Sequence, residues 1–125
     1  MTVANLDFTA SQILSGVGAT ATQSSPDLLN PCGRGVKVFA NVSAIGTGSV
    51  TFSIQAKDPG SGTYSTILSS AAIVANGMTV LTVYPGLPAT ANVSANDVLP
   101  RQWRVVVTAN NANPVNYTVG ASVIV

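Results

Sequence analysis

The side chains that could do chemistry in this chain are few. Its acids are four aspartates, Asp7, Asp27, Asp58 and Asp97, with no glutamate, no histidine, a single cysteine (Cys32), and five Lys and Arg together. A Ser-His-Asp or Cys-His nucleophile needs an imidazole to carry the proton, so both systems are excluded, as is any imidazole metal ligand. General acid/base work or a Ca²⁺ loop needs carboxylates brought close together. Here none lies within five residues of another. Asp27 follows Ser25-Pro26, Asp58 precedes Pro59-Gly60, and Asp97 follows Asn96, contexts in which an aspartate shapes a turn or caps one. Cys32, in Asn30-Pro31-Cys32-Gly33-Arg34, reads as a small loop residue; a lone cysteine makes no intrachain disulfide and no thiolate cluster. The inventory predicts no enzyme, no cofactor and no metal.

Two further patterns have chemical readings. Gly16-Val17-Gly18-Ala19-Thr20-Ala21 matches G-x-G-x-x-A, but a dinucleotide site needs a following helix inside a βαβ unit. No helical pattern follows, so the stretch is expected to be a turn between strands. Arg101-Gln102-Trp103-Arg104 is the densest polar and aromatic cluster. Trp103 is in phase with Val105 and Val107, which places it in the core, with Arg101 and Arg104 projecting outward toward a neighbouring subunit. The competing reading exposes Trp103 with Tyr64 or Tyr84 as a sugar-stacking face.

The elements that must hold these residues are strands. The chain has 125 residues, 46% hydrophobic and only 7% charged, against roughly 25% charged in an average soluble domain. That suffices for one domain with a real core. Val36, Val38, Ala40, Val42 and Ala44 alternate with Lys37, Asn41 and Ser43; Val50, Phe52, Ile54 and Ala56 alternate with Thr51, Ser53, Gln55 and Lys57. The same period of two runs through Trp103, Val105, Val107 and Ala109, and through Val115, Tyr117, Val119, Ala121 and Val123. Asp58-Pro59-Gly60-Ser61-Gly62 predicts a hairpin loop leading to a strand over 64–68. Asn76-Gly77 predicts a turn between strands at 71–74 and 78–84. Further strands are expected over 8–14 and 19–23, a helical turn over 24–29 capped by Ser25, and irregular chain over 85–100 with Asn96-Asp97 capping one turn. No apolar pattern of period 3.6 lasts three turns. The fold class predicted is all-β, a single antiparallel sandwich or barrel, Ig-like or jelly-roll-like, with roughly seven to nine short strands.

A net charge of +1 gives no electrostatic footprint for nucleic acid. No run approaches the ~18 apolar residues of a membrane helix, and Met1-Thr2-Val3-Ala4-Asn5-Leu6-Asp7 lacks the basic start of a secretion signal. Synthesis in a reducing cytoplasm is expected. A surface poor in charge suits a protein packed among identical neighbours, because neutral polar groups lose less on burial than Lys or Glu.

From residue 34 onward the chain resembles small structural proteins of tailed bacteriophages. The resemblance rests on Gly35-Val36-Lys37-Val38-Phe39, on Ser53-Ile54-Gln55-Ala56-Lys57-Asp58-Pro59-Gly60-Ser61-Gly62 and on Val83-Tyr84-Pro85-Gly86-Leu87. It continues through Val98-Leu99-Pro100-Arg101-Gln102-Trp103-Arg104-Val105 and Tyr117-Thr118-Val119-Gly120-Ala121-Ser122. It implies a virion component, a decoration protein on the outer capsid surface that binds the major capsid protein and stabilises the shell. It implies a homo-oligomer, a trimer at local three-fold positions being favoured. A carbohydrate- or receptor-binding module of a tail or head fibre is the alternative. Residues 1–14 are expected to form an N-terminal arm. The expected capsid or subunit contacts are Thr2, Val3, Asn5, Leu6 and Phe8 on that arm, with Arg101 and Arg104.

Overall fold

Alternating burial organises the fold into two sheets. The computed structural model describes residues 10–30 and 32–125. In chain order the strands are β1 (Ala10–Ala19), β2 (Gln23–Ser24), β3 (Leu28–Leu29), β4 (Gly35–Ala44) and β5 (Val50–Lys57). They continue as β6 (Tyr64–Ser69), β7 (Gly77–Val83), β8 (Ser94–Ala95), β9 (Gln102–Ala109) and β10 (Val115–Ile124). Ten strands exceed the expected count because β2, β3 and β8 have two residues each, too short for a period of two to register. Every named pairing is antiparallel except β7 with β8.

One sheet has the order β1-β10-β4-β7-β8, the other β2-β9-β5-β6 with β3 also on β9. The sheets face each other as a sandwich and do not close into a barrel. With β2 and β3 taken as two pieces of one strand and the short β8 set aside, the wiring is that of a jelly roll: the last strand lies between the first and the third, and chain-adjacent strands mostly fall in opposite sheets. The Ig-like option is corrected on this ground, since there the first and last strands belong to different sheets.

The core is what the alternation predicted. Val36, Val38, Ala40 and Val42 of β4, with Val115, Tyr117, Val119 and Ala121 of β10, face Phe52 and Ile54 of β5 and Trp103, Val105 and Val107 of β9, all buried. Each such side chain of Val size or larger contributes about 1.5–3 kcal/mol through burial. Phe52 and Tyr117 meet edge to face across the two sheets, ring centroids 6.0 Å apart at 85°, an arrangement that aromatic quadrupoles favour. The Tyr117 hydroxyl donates to Gln23 Oε1 at 2.6 Å, and burial pushes its phenol up. Gly16 sits opposite Tyr117 in the β1–β10 register. A Cβ there would lie 2.6 Å from the tyrosine ring, so the ring occupies the space a side chain would need.

Several expectations are corrected. The Gly16–Ala21 stretch is no inter-strand turn: β1 runs through it to Ala19, with a register shift between Gly16 and Ala19 and Gly18 at φ +61°. No helical turn forms at 24–29, because Ser25 is needed elsewhere. It is buried, its backbone N–H donates to the Val105 carbonyl (2.8 Å), and its hydroxyl accepts the Val105 N–H (3.0 Å). No strand forms at 71–74; Ile73 makes an isolated bridge with Val50. Asn96 caps no helix and instead accepts the Gly86 N–H at 2.7 Å. Residues 10–14, assigned to an arm, belong to β1 and pair with β10. The rest of that arm, with Thr2, Val3, Asn5, Leu6 and Phe8, lies outside the described residues.

Candidate functional site

The register of β9, β5 and β6 lays polar side chains in rows on the solvent face of their sheet. Arg104 is opposite Gln55, which is opposite Thr66; one row further on, Lys57 is opposite Tyr64. Arg104 Nε donates to Gln55 Oε1 at 2.9 Å, and its guanidinium carbon lies 3.5 Å from the Tyr64 ring centroid. Stacking of this kind fixes the planar cation over the ring face.

Asp27, delivered by the link between β2 and β3, closes the group. Its Oδ2 accepts from Lys57 Nζ and its Oδ1 from the Tyr64 hydroxyl, both at 2.7 Å. Those two bonds, Lys57 first, hold the Asp27 carboxyl below the usual carboxylate range, and Asp27 in turn raises Lys57. The pair is only partly exposed, at 31% and 27%. The neighbouring hairpin loop is ordered by Asp58, which accepts from the Ser61 hydroxyl (2.6 Å) and the Gly60 N–H (2.9 Å). Those bonds lower its carboxyl. Beside the loop lies a hollow of about 450 Å³ bordered by Leu29, Lys57, Pro59, Pro100, Arg101 and Gln102.

Arg101 and Arg104 are thereby brought to one corner of the molecule, although their states differ. Arg101 is exposed at the hollow, whereas Arg104 is half-buried and already stacked. Asp27, Lys57 and Tyr64 were not expected to join them. The register of Gln55 and Lys57 was legible as the polar side of an alternating strand; the arrival of Asp27 from a distant link was not. Trp103 is 2% exposed and faces the interior, so it offers no stacking face to a sugar. Tyr84 is on the other sheet's side of the chain, its hydroxyl donating to the Val125 carbonyl at 3.3 Å.

The corner can bind by charge and hydrogen bonds, and its bonds are directed at holding geometry. Among the described residues no three His, Cys, Asp or Glu side chains come together, Asp97 accepts only the N–H of Val98 (2.7 Å), and Cys32 is exposed and free. Asp7 lies outside the described residues. No described helix is long and apolar enough to cross a membrane. No protein-family model matches this chain, and no curated protein matches it.

Proposed function

We propose that this chain is a non-enzymatic virion structural protein, a capsid decoration protein that seats on the major capsid protein at the outer face of the head as a homo-oligomer, a trimer by preference. The observation that carries the reading is the corner just described. Five of the nine charged residues, Asp27, Lys57, Asp58, Arg101 and Arg104, gather at one end of one sheet, on a chain that is 7% charged. A rigid sandwich with one polar, pre-ordered corner suits docking onto a fixed lattice, since little side-chain freedom is lost there on binding. The charge-poor remainder suits burial against like neighbours, and the resemblance to phage structural proteins supplies the kind of lattice. Arg101, exposed and without an ion-pair partner among the described residues, supplies a cation for a carboxylate of the capsid subunit, and Arg104 with Tyr64 supplies a flat contact surface.

The test is co-sedimentation of the purified chain with heads assembled from the major capsid protein without it. Saturable binding is expected, falling at least tenfold in Arg101→Glu. Failure to bind heads, combined with retention on a glycan array, would replace this reading by the receptor-binding alternative.

A further inference from the structure

An apolar groove of about 390 Å³ opens along the side of the sandwich, between Ser11 and Ile13 of β1 on one sheet and Leu28 and Leu29 of β3 on the other, with Trp103 and Val123 beneath. Three observations bear on what fills it. First, β1 is the outermost strand of its sheet, paired with β10 on one side and with no described strand on the other. Its ten residues carry no charge and no proline, two of the devices that stop a free edge from recruiting another strand; its two register shifts, between Gln12 and Leu14 and between Gly16 and Ala19, leave the Ala10–Gln12 end beside the groove in regular register. Second, the groove's lining is apolar apart from Ser11, with Leu29 56% exposed at its mouth, so an occupant is held there by apolar side chains. Third, residues 1–9 join the fold at Ala10, next to Ser11 on the groove's rim. They include Leu6 and Phe8, which share a face in an extended chain, and Asp7 on the opposite face. Leu29 borders both this groove and the hollow lined by Arg101, so an exposed guanidinium adjoins the apolar slot.

We propose that the groove receives residues 2–8 of a second copy of this chain. The segment adds to the outer edge of β1, buries Leu6 and Phe8 against Leu28 and Leu29, and leaves Asp7 at the rim near Arg101. Exchange between copies is favoured over self-docking by chain direction. β1 leads from Ala10 into Ser11 and Ile13, so a chain's own segment reaches the groove only by reversing within Phe8-Thr9-Ala10. Those residues include none of the Gly, Pro, Asn or Asp that tight reversals use. A neighbour's segment carries no such constraint, and strand addition of this kind draws affinity from backbone bonds and specificity from alternate side chains.

The inference rests on the homo-oligomer in the proposed function and not on its head-binding part, so it is tested in solution without capsid. In a Cys32→Ser background, Phe8→Cys with Leu29→Cys is oxidised in a mixture of isotopically light and heavy chains. Leu29 is 56% exposed, so the change is tolerated by the fold. Disulfides joining light to heavy chains are expected; links confined within one chain, or none, overturn the proposal. Light scattering gives the second reading. Deleting residues 2–8, or Leu29→Arg alone, is expected to reduce the native oligomer to monomer with an unchanged circular dichroism spectrum. An oligomer mass that survives both changes, or a wild-type chain that is monomeric, overturns it as well. Normal cross-linking with no head binding would instead count against the proposed function alone.

Discussion

Replacing Trp103 with alanine tests the account of the core where it is most specific. The side chain is 2% exposed and stands opposite Ala56 of β5 and Leu28 of β3, joining the body of the second sheet to its short outer strand. Truncating a buried Trp costs about 3–5 kcal/mol through lost transfer energy and the void left behind. Two features move this case to the low end. The void would merge with the adjoining groove and admit water, and the substitution also removes a buried indole N–H that has no described partner, a liability of about 1–3 kcal/mol. The expected loss is about 3 kcal/mol, which for a domain of this size lowers the melting temperature by roughly 10–15 °C. Because Trp103 is the only tryptophan, urea melts followed by far-UV circular dichroism are the assay. Trp103→Phe keeps a ring in the slot while discarding the unpartnered donor, so it should lose less than half as much as the alanine variant. An alanine variant within about 0.5 kcal/mol of the wild type, the range of ordinary surface changes, would refute the assignment of Trp103 to the core. A phenylalanine variant as damaged as the alanine one would refute the role given to the indole N–H.

Gly16→Ala should destabilise by about 1–3 kcal/mol, an overpacking cost, because its Cβ meets the Tyr117 ring at 2.6 Å; calorimetry checks this, and Gly16→Ala combined with Tyr117→Leu should recover part of the loss. Ser25→Ala should cost about 1–2 kcal/mol by stranding the Val105 N–H, and hydrogen exchange at Val105 should accelerate in step. The acid limb follows from Asp27, whose lowered carboxyl contributes stability that is complete above the ordinary carboxylate pKa of about 3.9 and is lost as pH falls through its lower folded value. Melting temperatures should therefore hold down to about pH 4 and then drop, with a smaller drop in Asp27→Asn. At the alkaline end the raised Lys57 and Tyr117 contribute stability that is complete below their ordinary values near 10 and is lost as pH rises through their folded ones. A melting temperature that climbs between about pH 10 and 11, where both groups ionise in the unfolded chain, would contradict both assignments.

The sequence by itself determined the class of structure and most of the core, though not Leu81, Val83, Leu99 or the buried Val106. Residues such as Val36, Phe52, Ile54 and Val119 alternate with polar or glycine neighbours strictly enough that side-chain period alone assigns them inward, and they are buried. The same alternation put Trp103 inside and Arg104 outside, and the scarcity of His, Glu and Cys removed most catalytic chemistry without any coordinates. Which strands become neighbours was decided by tertiary structure, since a period of two fixes the face of a strand but carries no information on its partner. Hence the choice of a jelly roll over an Ig-like sandwich came only with β10 lying between β1 and β4. The two-residue strands β2, β3 and β8 are equally products of packing: they exist because β9 and β7 present open backbone groups, and their own sequences are too short to specify them. The candidate site divides the same way. Gln55, Lys57 and Arg104 were visible as the polar positions of their strands, but the facing of Tyr64 and the contact of Asp27 with residues 30 and 37 positions away depend on strand register and on where a short link crosses the sheet. The same holds for Ser25: a Ser-Pro-Asp sequence favours a helix start locally, and the unmet N–H of Val105, 80 residues distant, outweighs that preference because a buried donor left unpaired costs more than a lost cap.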